Sequence, residues 1–125
     1  PRLGDLASMM SLNDYMQDVN ARLECRGTST IRFNDINTAK MISRIGGCGG
    51  AGAFLAADLL AAGVDAYVTS DVRHHEFLDS TARGLALIDA GHDATETPGM
   101  RALAELLAER LPQIEVVWYG KQIAG

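Results

Sequence analysis

Residues 65 to 91 read DAYVTSDVRHHEFLDSTARGLALIDAG, and the reading of this stretch decides the fold. Its two ends, DAYVTSD and LALIDAG, are near-continuous apolar runs of strand length, the pattern of strands buried on both faces of a parallel sheet. Between them HHEFLDSTAR has the length and composition of a short helix, stopped at Gly84. A strand, a helix and a second strand in that order imply a right-handed crossover between parallel neighbours.

Working outward, the same alternation continues. Upstream, TIRF and KMISRI read as short strands, followed by the glycine run GGCGGAG and an alanine-rich helix near residues 52 to 62 that ends at Gly63. Earlier still, Ser11 and Asp14 make a capping-box-like start for a helix over 11 to 24, with Leu12, Tyr15, Met16, Val19 and Leu23 on one face. The opening RLGDLASMMS reads as a linker entered midway, and a chain that begins at Pro1 reads as a piece of a longer one. Downstream, Thr97-Pro98 suits an N-cap and first-turn proline for a helix with Leu103, Leu106, Leu107 and Leu111 inward, and IEVVWYG a last strand. The expected fold is one α/β domain over residues 1 to 125, a mainly parallel sheet with helices on both faces.

At 125 residues and 47% hydrophobic, the chain suits one core. The net charge of -5, with scattered basic residues, gives no footprint for nucleic acid or an anionic membrane, which leaves a small molecule or a protein as partner. The apolar run AFLAADLLAAGV contains Asp58 and is too short to span a bilayer. Cys25 and Cys48 form no CxxC pair, the usage of a reduced, cytoplasmic protein.

In open α/β sheets ligands bind beyond the carboxyl ends of the strands. Asp71, His74, His75, His92 and Glu96 all fall there, among them every histidine of the chain. His92 and Glu96, four apart with Gly91 before them, can face one cavity and hold a metal. By spacing alone they suit equally well a glutamate complementing the positive end of a helix, with the histidine hydrogen-bonded nearby. Gly47, Gly49 and Gly52 fit G-x-G-x-x-G, so a nucleotide-binding module using this loop is one alternative. The run also suits a tight turn beside closely packed elements, and that reading is preferred because a nucleotide cradle explains none of the histidines.

YVTSDVRHHEFLD, GLALIDAGHDATE and the upstream GGCGGAG resemble the carboxyl-terminal half of the Nif-three-like family, dinuclear metal proteins often labelled GTP cyclohydrolase I type 2. The similarity runs from MSLNDYMQDV to VVWY, with DAGH-x-x-TE its most specific block. It implies that His92 and Glu96 are metal ligands, Glu96 bridging two divalent ions (zinc, iron, manganese or magnesium). Asp71, His74 and His75 would line the cleft, His75 or His74 transferring a proton. Serine stands at 70 where the family has glycine, and Asp93 where it has an aromatic residue.

The family takes its remaining ligands, a histidine pair and an aspartate, from an amino-terminal half, and residues 1 to 70 hold no histidine pair. The resemblance therefore implies one part of a metal-dependent hydrolase, acting on a small molecule such as a nucleotide and assembling as a ring-like homo-oligomer. This chain alone is expected to be inactive. A non-enzymatic metal-binding or regulatory partner protein is the other alternative.

Overall fold

A computed structural model describes residues 1 to 23 and 31 to 117. The chain forms β1 (Arg2–Ser11), α1 (Leu12–Arg22), β2 (Arg32–Phe33), β3 (Met41–Ala51), a 3-10 turn (Ala53–Leu55) and α2 (Ala56–Ala61). It continues with β4 (Ala66–Ser70), α3 (His74–Arg83), β5 (Ala86–Asp89) and α4 (His92–Arg110). The strands make one five-stranded sheet in the order β1-β3-β4-β5-β2.

The three central strands are parallel, as the apolar runs predict, and β4 and β5 are buried at every position. Both edge strands are antiparallel to their neighbours. Helices lie on both faces. On one, Leu12, Tyr15, Met16 and Val19 of α1 pack on Ile42, Ala66, Val68, Ala86 and Ile88. On the other, Leu59, Val64, Tyr67, Val72, Leu85 and Leu87 form a second cluster joined by Phe77 of α3. Each fully buried aliphatic side chain contributes roughly 1.5–3 kcal/mol by leaving water.

Ser11 caps α1 by accepting the Asp14 N–H at 3.1 Å, a contact of about 1 kcal/mol. Gly84, at φ 79°, ends α3 in the left-handed conformation that glycine adopts without a Cβ penalty.

Four expectations need correction. RLGDLASMMS is the edge strand β1, with Leu6 and Met10 packed on the core, and not a linker. Most of the glycine run belongs to strand β3, ahead of the turn. Helix α4 begins at His92, five residues before Thr97, so Pro98 lies inside it. Having no N–H, Pro98 makes no bond to the Ala94 carbonyl one turn back, and just before it the Thr97 hydroxyl donates to the Asp93 carbonyl at 2.7 Å. Finally, Leu103, Leu106, Leu107 and Leu111 are exposed, because α4 meets β3 and β4 while no described element covers its leucine face.

Residues 114 to 117 of IEVVWYG are not a strand, and its last three residues lie outside the described ones, as does Cys25.

Candidate metal centre

Three elements deliver the site. Parallel pairing sets Thr69 of β4 opposite Asp89 of β5, so the two strands end side by side and their following residues meet. Asp71 follows β4, and His92 opens α4 two residues after Ala90. The Asp71 backbone is left-handed, φ 55°, the one described non-glycine residue with positive φ. Aspartate tolerates that region better than most residues, and the turn aims its carboxylate across the strand ends.

The Asp71 carboxylate closes on Nδ1 of His92. On the other side of the ring, His92 Nε2 lies 3.0 Å from Glu96 Oε1, one helical turn on. All three side chains are about half exposed. The bond to Asp71, and after it the Glu96 charge, hold the His92 imidazolium above the ordinary histidine range. That same bond holds the Asp71 carboxyl below the usual carboxylate range. Ser70, where the resemblance expects glycine, donates its hydroxyl to Asp71 Oδ2 at 3.3 Å and so supports the carboxylate.

The floor is the glycine run. Gly50 (φ 73°) lies directly beneath the pair: a Cβ there would come within 2.6 Å of Glu96 Oε1 and 3.4 Å of the His92 ring. At Gly49 a Cβ would stand 2.9 Å from the Thr95 carbonyl oxygen. The Gly50 N–H donates to Thr95 Oγ1 at 2.9 Å, and that hydroxyl donates to the Gly91 carbonyl at 2.9 Å. The Gly50 carbonyl is taken by Thr69 Oγ1 at 2.8 Å, and the Gly52 carbonyl by the buried Tyr67 hydroxyl at 2.7 Å. The glycines are small so that the first turn of α4, from far along the chain, can rest on them.

Asp71, His92 and Glu96 are thus brought together. His74 and His75 are exposed in the first turn of α3, three and four residues past Asp71, and their side chains make no hydrogen bond or ion pair among the described residues. Asp93 is exposed in the first turn of α4. Sequence reasoning gave no role to Gly50 or Thr95, whose contact joins segments some 45 residues apart. It also passed over Asp89, although a carboxylate ending an apolar strand signals a buried partner.

The donor set suits a cation in part. A carboxylate on one imidazole nitrogen fixes the tautomer that leaves the other for metal. Donors 3.0 Å apart have the spacing of adjacent ligands on one ion, given bonds of about 2.1 Å at roughly right angles. Among the described residues no group of three or more His, Cys, Asp or Glu side chains is arranged to hold a metal. The pair offers at most part of a coordination shell.

The chain is similar to known proteins in sequence and in fold. Over 117 residues the chain is 34% identical to a Nostoc protein named GTP cyclohydrolase 1 type 2 homolog, covering 94% of this chain and 42% of that protein. A Mycobacterium tuberculosis protein of the same name is 38% identical over 108 residues, covering 85% of this chain and 28% of its own length. The chain therefore spans less than half of each of these relatives. A crystal structure of a Staphylococcus aureus hypothetical protein superposes with a TM-score of 0.80 at 26% identity, over 97% of this chain and 39% of that one. A protein of unknown function, ybgI, gives a TM-score of 0.73 at 29% identity, over 86% and 42%. The family model for Duf34/NIF3 (NGG1p interacting factor 3) matches residues 1–122. With the fold and nearly the whole chain in agreement, this chain belongs to the Duf34/NIF3 family.

Proposed function

We propose that this chain supplies one side of a dinuclear metal-dependent hydrolytic centre, acting on a small molecule of nucleotide type. The observation that carries the reading is His92: Nδ1 held by Asp71, Nε2 beside a second donor, Glu96 Oε1, at 3.0 Å. A histidine that merely hydrogen-bonds beside a glutamate complementing a helix end needs neither an orienting carboxylate nor a glycine floor cut to its ring and to Glu96. The names of the relatives, GTP cyclohydrolase 1 type 2 homolog, support a nucleotide substrate.

In this reading His92 and Glu96 hold metal and Asp71 orients His92. Two divalent cations would supply Lewis acidity and activate water at neutral pH. His75 or His74, at the start of α3 beside the Asp71 turn, would move a proton to or from the substrate. The other ligands would come from the part of the relatives' length that this chain does not span. The free thiol of Cys48 accords with the reducing cytoplasm. No described helix is long and apolar enough to cross a membrane.

A partner protein that binds metal without turnover is a second reading, favoured by the exposed leucine face of α4. Such a face is also where a homo-oligomer would join. Elemental analysis of the intact protein after gel filtration, with turnover of a nucleotide panel, tests both. The hydrolase reading expects bound divalent metal, lost in His92→Ala and Glu96→Ala, and product from at least one nucleotide. Unchanged metal in those variants would refute the site, and metal without turnover would leave the partner-protein reading.

A further inference from the structure

Asp89, the last residue of β5, is 7% exposed. Its Oδ1 accepts the Gly91 N–H at 3.0 Å, and its Oδ2 accepts the Val72 N–H at 3.1 Å. Gly91 immediately precedes His92, and Val72 immediately follows Asp71. One carboxylate therefore ties together the two loops that bring Asp71 and His92 into contact.

Arg32 of β2 completes the tie from the sheet edge. Its Nη2 donates to Asp89 Oδ2 at 2.6 Å and to the Val72 carbonyl at 3.2 Å. Phe77 steadies the guanidinium, whose carbon stands 5.4 Å from the ring centre. The pairing depends on strand register, and Asn34 fixes it. This buried side chain donates to the Leu85 carbonyl at 2.8 Å and accepts the Leu87 N–H at 2.9 Å, so Arg32 falls opposite Asp89. Nothing in this chain of contacts touches Glu96 or the face of His92 turned toward it.

We infer that Asp89, with Arg32 as its counter-ion, is the positioning residue of the metal centre, holding the Asp71 and His92 loops at the separation that turns Nε2 of His92 toward Glu96. The inference deepens the metal reading and rests on it for its functional consequence. Asn at 89 would present one oxygen and one NH2 group where two main-chain N–H donors require acceptors, so one loop is released. Lysine at 32 should substitute for arginine, because a single nitrogen makes both contacts and an ammonium can do the same.

The test compares wild type with Asp89→Asn, Arg32→Met and Arg32→Lys in the intact protein labelled with 15N. Two quantities are read: the His92 ring and Gly91 amide signals, and zinc affinity by competition with a chromophoric chelator. Asp89→Asn and Arg32→Met should shift those signals and weaken zinc tenfold or more while melting stays cooperative, and Arg32→Lys should restore both. Should Asp89→Asn fail to fold, Arg32→Met, altered at an exposed edge position, carries the test. Ring signals and zinc affinity unchanged in folded Arg32→Met or Asp89→Asn would overturn the inference. Shifted ring signals in a protein whose wild type takes no zinc would uphold the positioning role and refute the metal reading alone.

Discussion

Asp71 and His92 lie 21 residues apart in the chain, yet the carboxylate of the first closes on the imidazole of the second across the ends of two parallel strands. The contact couples two ionisations. Replacing Asp71 by asparagine, which also tolerates positive φ, removes the charge and keeps the turn. The His92 midpoint in an NMR titration should then fall toward the ordinary histidine value, about 6.5. A midpoint that does not move would show that the pairing is absent in solution.

The same pair sets a pH window for stability. The contribution from Asp71, whose folded pKa is lowered, is present above its unfolded value and lost as pH falls through the folded one. The contribution from His92, whose folded pKa is raised, is present below its unfolded value and lost as pH rises through the folded one. The difference in Tm between wild type and Asp71→Asn, measured without metal, should therefore be largest between about pH 4 and 6.5 and shrink on either side.

In the proposed centre, protons and metal would compete for His92 Nε2. With the imidazolium favoured by Asp71 and Glu96, affinity for a divalent cation should fall as pH drops through the raised midpoint, approaching roughly tenfold per pH unit below it. Isothermal titration with zinc at several pH values checks this. A flat profile would exclude His92 as a ligand.

The glycines of the floor should respond by position. Gly50→Ala meets Glu96 and a left-handed backbone, and should lower stability by roughly 1–2 kcal/mol while displacing Glu96. Gly49→Ala meets the Thr95 main chain, which cannot swing away as a side chain can. Gly99, inside α4, has open space for 4 Å around the place a methyl group would take, and alanine there should stabilise by about 0.5–1 kcal/mol. Urea melts of the three variants rank them.

Asn34→Ala would strand the Leu87 N–H and the Leu85 carbonyl inside the sheet edge. Two orphaned groups at about 1–3 kcal/mol each make a loss of several kcal/mol, visible as a lower urea midpoint.

What could be read from the sequence was local or periodic. The α1 stripe with its Ser11 cap, the apolar runs of β4 and β5 and the stop at Gly84 each carry their cause within a few residues. His92 and Glu96 were legible as a pair because one helical turn separates them. The rest depends on register between distant segments. No spacing rule places Gly50 beneath Glu96, or Arg32 opposite Asp89. The edge strand β1 was hidden because most of its positions face solvent, so its side chains show no alternation. The leucines of α4 misled for the opposite reason: a helical stripe announces burial but cannot say which molecule covers it.

The strand order has a consequence for the way the protein is made. From β1 at one edge the chain crosses to β2 at the far edge, then fills the centre with β3, β4 and β5 in turn. As the polypeptide emerges from the ribosome, Arg32 and Asn34 appear first, and their partners at 85 to 89 arrive more than 50 residues later. Closure of the sheet is thus a late, non-local event that pairing of β1 with β3 precedes. Asp71 likewise meets its histidine late, so a nascent chain cannot assemble the Asp71, His92 and Glu96 group until Glu96 has cleared the exit tunnel.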